Sequence, residues 1–128
     1  MGNPNVGKSV IFSRLTGIGV ISANYPGTTV EYTEGNMKLG GEAATLVDAP
    51  GVYSLDPCSR VEEVCGKIFA KGADVVVNVI DATNLERNLN LTLQIMERGV
   101  PMVVALNLWD VAVKKGIEID VAALEREL

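Results

Sequence analysis

Residues 2–9 read Gly2-Asn3-Pro4-Asn5-Val6-Gly7-Lys8-Ser9, which fills every fixed position of G-x-x-x-x-G-K-[ST], the loop that wraps nucleotide phosphates. The spacing has a mechanism. Gly2 and Gly7 let the backbone turn where a Cβ would obstruct it, so successive N–H groups face one concavity. A helix beginning near Lys8 adds its positive end. Lys8 supplies a point charge to the β- and γ-phosphates, and the Ser9 hydroxyl is a ligand for Mg2+. The plainer reading, a glycine-rich turn opening an ordinary helix, loses ground once the motifs downstream are counted.

Outward from this loop, helices and strands alternate. A helix is expected over about Gly7–Thr16, with Ile11, Phe12 and Leu15 inward and Gly17 as its stop. An irregular loop follows over 18–29. Val30–Leu39 and Glu42–Val47 read as strands joined by Gly40-Gly41, a two-residue hairpin signal, and Asp48–Pro57 as loop. Ser59-Arg60-Val61-Glu62 has the pattern of a capping box. It opens a helix with an apolar stripe of Val61, Val64, Cys65, Ile68 and Phe69, ended by Gly72. Asp74–Ile80 is expected as a strand. The next helix, Asn84–Arg98, is expected to bury Leu85, Leu89, Leu93 and Met96 and to stop at Gly99. Met102–Leu106 is a further strand, and Asp120 caps a final helix. Such alternation implies an α/β fold with a mostly parallel sheet and one antiparallel edge hairpin. Ligands in such sheets sit beyond the carboxyl ends of the strands. The loops after Val47, Ile80 and Leu106 are therefore the ones to search.

The 128 residues suit a single domain over 1–128, one able to bury about two thirds of its unfolded surface. Hydrophobic residues make up 48% and mean hydropathy is +0.25, which strands covered on both faces would explain. Val75–Ile80 and Met102–Leu106 are two such runs, and neither approaches the roughly 18 apolar residues of a membrane span. With no signal peptide visible, the chain as given is expected to be soluble. Net charge is −5 with no basic tract, which argues against a nucleic-acid partner. A nucleotide can still bind, because a local cradle of N–H groups outweighs a diffuse, screened surface charge. The absence of histidine removes the usual zinc ligand and the commonest general base. Cys58 and Cys65 form no disulfide framework, so a reducing cytosol is the default. Cys65 falls on an apolar helix face, and a core position is preferred to an iron-sensing role for the pair.

The loop after Val47 reads Asp48-Ala49-Pro50-Gly51. Asp48 at a strand end is placed to hold Mg2+ through water, and the Gly51 N–H can meet the γ-phosphate. The loop after Leu106 reads Asn107-Leu108-Trp109-Asp110. Guanine offers two adjacent donors to a carboxylate such as Asp110, whereas adenine offers neither on that edge. Asn107 can bridge the base and the phosphate loop. Within Asn24-Tyr25-Pro26-Gly27-Thr28-Thr29, Thr29 is the candidate to close over the γ-phosphate and complete the Mg2+ shell. Thr28 suits a plain strand-opening role equally well. A loop that orders only with the γ-phosphate present would be a switch. Val52 stands where many GTPases carry a glutamine that orients the attacking water, and Arg14, Arg60 and Arg87 fit exposed helix positions. Hydrolysis is therefore expected to be slow unless a cation or partner supplies the missing charge. Three readings remain: a Mg2+-dependent GTPase, a non-catalytic GTP/GDP-responsive switch, and an ATP-dependent enzyme.

The octapeptide Gly2–Ser9, Asn24–Glu31, Asp48–Ser54 and Asp81-Ala82-Thr83-Asn84-Leu85-Glu86-Arg87-Asn88-Leu89 together resemble the G domain of the ferrous iron transport protein B (FeoB) family, over nearly the whole chain. The resemblance implies a small-GTPase-like P-loop NTPase fold in three layers, α/β/α. It implies GTP hydrolysis coupled to Fe2+ uptake by a membrane transport domain, at the cytoplasmic face of the inner membrane. It also implies nucleotide contacts from Gly2, Asn3, Pro4, Asn5, Val6, Gly7, Lys8, Ser9, Gly27, Thr28, Thr29, Asp48, Gly51, Asn107, Leu108 and Asp110. Related K+-activated GTPases use the second asparagine of the phosphate loop as a K+ ligand, and Asn5 matches it. By chemistry alone, Asn5 could equally form a turn. The family's first strand and its final strand are expected to lie outside this chain, leaving neighbouring strand edges unpaired. Association with a second copy of the chain stays open.

Overall fold

The computed structural model describes residues 1–17 and 19–128. Among the described residues, five strands and five helices follow in the order α1 (Lys8–Leu15), β1 (Ile21–Asn24), β2 (Glu31–Leu39), β3 (Glu42–Asp48), α2 (Arg60–Ala70), β4 (Val76–Asp81), α3 (Leu85–Glu97), β5 (Met102–Asn107), α4 (Trp109–Lys114) and α5 (Val121–Glu127). β1, β2 and β3 form an antiparallel sheet in that order, while β4 and β5 form a parallel pair. The α/β class holds, with mixed pairing and only two strands in the parallel part. The hairpin closes at Gly40-Gly41, with Leu39 opposite Glu42.

The root of the phosphate loop joins the two sheets. Met1 and Gly2 lie along β4: the Val79 N–H donates to the Met1 carbonyl at 2.8 Å, and Gly2 forms a parallel bridge to Val79. The Val52 N–H in the segment after β3 donates to the Gly2 carbonyl at 3.1 Å. The β4 edge that was expected to be unpaired is thus met by Met1 and Gly2. Beneath this seam, Ala49, Val52 and Leu55 pack with Cys65 of α2, Val76 of β4, and Leu91 and Ile95 of α3.

Several elements depart from expectation. Ile18, the start of the expected 18–29 loop, lies outside the described residues. Part of that loop is β1, whose four side chains are all exposed, so no alternation betrays it; only pairing with β2 makes it a strand. Leu15 is exposed rather than inward, leaving Phe12 as the buried residue of α1. Ser59 is the N-cap of α2, but its hydroxyl bonds the Glu62 carboxylate instead of a backbone N–H. Val61 lies at the exposed margin of that helix. Val75, expected within a strand, is exposed ahead of β4.

α3 shows the largest difference. It buries Asn88, Leu91, Thr92 and Ile95, not the expected Leu85, Leu89, Leu93 and Met96, and Leu93 is 52% exposed. Both sets have helical spacing. The polar members win because they have partners: Asn78 Nδ2 on β4 donates to Thr92 Oγ1 at 2.7 Å, and the Thr92 hydroxyl donates to the Asn88 carbonyl at 3.1 Å. Asn88 Oδ1 accepts the Asp81 N–H at 3.2 Å. A buried polar residue that is hydrogen-bonded is tolerated in a core. The segment after Asn107, expected as loop, forms the short helix α4. Asp120 caps α5 as expected, accepting the Ala123 N–H at 3.0 Å.

Candidate functional site

Asn3, Pro4, Asn5, Gly7, Lys8, Ser9, Val10 and Gly51 line an open depression of about 400 Å3. The loop wraps because Asn5 and Gly7 both take left-handed backbone conformations, with φ of 64° and 87°. Gly7 is the N-cap of α1, so the first N–H groups of that helix open onto the loop. Gly51 must be glycine, since a Cβ there would stand 2.8 Å from Pro4 Cα. This close approach is what brings the loop after β3 onto the phosphate loop.

Lys8 Nζ donates to Asp48 Oδ1 at 2.5 Å and to the Ala49 carbonyl at 2.5 Å. The Ser9 hydroxyl reaches Asp48 Oδ2 at 3.3 Å. Asp48, the last residue of β3, is placed by the sheet between the two side chains of the adjoining loop. Hard oxygen donors of this kind suit Mg2+, and Ser9 with Asp48 could hold it. Asn107 ends β5 and its Nδ2 donates to the Val6 carbonyl at 2.8 Å, tying that strand end to the loop. Leu108 has a left-handed φ of 59° and starts α4. Asp110 follows in the first turn and is solvent-exposed.

Not every candidate is gathered there. Gly27, Thr28 and Thr29 line a second open depression of about 420 Å3, together with Arg60. Thr28 is engaged in its own turn: its hydroxyl donates to the Tyr25 carbonyl at 2.8 Å, and its Oγ1 accepts the Val30 N–H at 3.1 Å. Thr29 is exposed. Arg60, expected simply as an exposed helix residue, is exposed but lies beside this loop. Its position at the start of α2 was legible; the neighbour was not.

Val52 is 2% exposed and points into the core, so nothing at that position faces the depression. Beneath it, the Cys65 thiol donates to the Pro50 carbonyl at 3.9 Å, and burial pushes its pKa up to about 11. Cys58 is exposed and Cys65 buried. Among the described residues, no group of three or more Cys, Asp or Glu is placed to hold a metal ion, and no helix is long and apolar enough to cross a membrane. Sequence reasoning missed the polar row on α3. Arg87 lies 4.5 Å from the Tyr53 ring centroid, and Asn90 and Gln94 bond the segment after Gly51.

The order of elements and the glycine-lysine loop define a domain of the P-loop nucleoside-triphosphatase fold, and solved structures agree. The FeoB G domain of Methanococcus jannaschii matches with a TM-score of 0.82 at 48% identity, over 98% of this chain and 75% of that one. A GDP-bound variant of S. thermophilus NFeoB matches with a TM-score of 0.91 at 42% identity, over 99% of this chain and 50% of that one. The Fe(2+) transporter FeoB of Salmonella typhimurium is 46% identical over 133 residues, covering 100% of this chain but 17% of the relative. The family model of ferrous iron transport protein B matches residues 1–128. The chain belongs to the ferrous iron transport protein B family. It spans about a sixth of the length of the curated relatives it matches.

Proposed function

We propose that this domain binds GTP and GDP with Mg2+, hydrolyses GTP slowly, and thereby regulates ferrous iron passage through a membrane transport domain at the cytoplasmic face of the inner membrane. The observation that carries the reading is the convergence of Lys8, Ser9, Asp48 and Gly51 on one glycine-built loop. Lys8 forms an ion pair with Asp48. With nucleotide bound, its ammonium would turn to phosphate oxygens, and Asp48 with Ser9 would hold Mg2+. Water then attacks the γ-phosphorus as the bond to the β-phosphate oxygen breaks. Lys8, the Gly51 N–H and the N–H groups of the loop stabilise the charge that develops. Bound Mg2+ supplies further charge neutralisation to the phosphates.

Asp110 is assigned the guanine N–H pair and Asn107 the link between base and loop, with Leu108 between them. Thr29 lies with Gly27 and Thr28 outside the phosphate depression, so it reaches Mg2+ only if that loop closes over nucleotide. Asn5 lines the depression and is the assigned K+ ligand, compensating for Val52. Titration calorimetry with GDP and ADP tests the base assignment: at least tenfold tighter GDP binding is expected, and equal binding sinks it. Single-turnover hydrolysis in K+ against Na+ tests the cation. The Asn5→Ala variant is expected to lose a K+ stimulation of about tenfold or more.

The burial of Val52 keeps a second reading alive, a GTP/GDP-responsive switch without significant hydrolysis. Absence of K+ stimulation in the parent chain would favour it.

A further inference from the structure

The segment that begins at Gly51 is fastened to α3 by one side chain above all. Gln94 Oε1 accepts the Leu55 N–H at 2.6 Å and the Ser54 hydroxyl at 3.2 Å. Its Nε2 donates to Ser54 Oγ at 3.1 Å and to Asp56 Oδ2 at 3.4 Å. A turn earlier on the helix, Asn90 Nδ2 donates to the Tyr53 carbonyl at 3.3 Å. At the other end of the segment, the Val52 N–H is held by the Gly2 carbonyl at 3.1 Å. Gly51 is pressed against Pro4. The stretch from Gly51 to Asp56 is thus pinned to the phosphate loop at one end and to Gln94 at the other.

We propose that Gln94 is a positioning residue for the terminal phosphate: by fixing Ser54 and Leu55 it holds the Gly51 N–H at the phosphate loop before nucleotide arrives, and so sets the preference for triphosphate over diphosphate. This rests on the reading that the loop takes guanine nucleotide. A donor already in place loses no freedom on binding. GDP carries no γ-phosphate to meet Gly51 and is indifferent to the arrangement. A primary amide suits the task because it presents acceptor and donor together, so it serves the Leu55 N–H and the Asp56 carboxylate at once.

The test titrates the full chain and its variants, at saturating Mg2+, with GDP and with a non-hydrolysable GTP analogue, and follows thermal unfolding alongside. Gln94→Leu keeps the volume but leaves the Leu55 N–H unmet; it is expected to weaken analogue binding about tenfold while GDP stays within about twofold. The Gln94→Glu and Asp56→Asn double variant keeps the acceptor for Leu55 and reverses the donor between the two side chains, and is expected to restore analogue affinity to within about threefold of the parent. Should Gln94→Leu fail to fold, Ser54→Ala removes the hydroxyl that Gln94 grips and is expected to lower the analogue-to-GDP ratio about threefold. Equal losses for both nucleotides, or an unchanged ratio in a folded variant, overturn the proposal. A parent chain that binds neither nucleotide sinks the nucleotide reading itself, before any variant is compared.

Discussion

Lys8 and Val52 show how one residue's surroundings set its chemistry. Lys8 is mostly covered and its charge is answered by Asp48 and the Ala49 carbonyl, so an otherwise costly burial is compensated. Val52 is the opposite case. Its side chain packs with Leu55, Cys65 and Leu91, and only its backbone reaches the loop. Val52→Gln is therefore expected not to accelerate single-turnover hydrolysis; instead it forces an amide into an apolar site and lowers unfolding free energy by about 1–3 kcal/mol. A rate gain without loss of stability in denaturant titration would contradict that placement.

Among the elements, α3 does the most to organise the site. Its inner face is a mixed stripe in which Asn88 and Thr92 sit beside Leu91 and Ile95, and its outer polar row grips the segment after Gly51. Asn3 of the phosphate loop also reaches this helix, its Nδ2 donating to the Arg87 carbonyl at 3.3 Å. The buried Asn78–Thr92 bond fixes the rotation of α3 against β4. Thr92→Val is expected to cost about 1–3 kcal/mol, because Asn78 Nδ2 is then left without an acceptor. The Asn78→Leu and Thr92→Val double variant is expected to cost less than the sum of the singles, as removing both partners spares the unpaired group. Additive losses in urea titrations would show that the two side chains act independently.

For the molecule as a whole, the two sheets meet through the root of the phosphate loop, and Cys65 is fully enclosed in the core that α2, α3 and β4 build with the segment after β3. Burial raises the Cys65 pKa from 9.0 to about 11, which favours the neutral thiol in the folded state. Its contribution is complete below pH 9 and is lost as pH climbs from 9 to 11, since the unfolded chain releases this proton first. Two pKa units correspond to at most about 3 kcal/mol. Unfolding free energy measured across that window is expected to fall, and the slope is expected to flatten in Cys65→Ala. An identical slope in the variant would assign the loss to other groups.

The sequence by itself determined the phosphate loop, the Asp48–Gly51 turn and the Asn107 strand end, because each depends on local backbone needs or on a residue type at a fixed offset. It determined most of the helices and strands, though not β1 or α4, because apolar period acts within a few positions. Tertiary structure alone decided the rest. β1 exists only because β2 lends it hydrogen bonds, and α3 is rotated onto its polar stripe only because Asn78 waits on β4. The fourfold grip of Gln94 joins residues about forty positions apart, which no periodicity records. Partners supplied by distant strands and helices, not local preference, settle which of two helical faces turns inward.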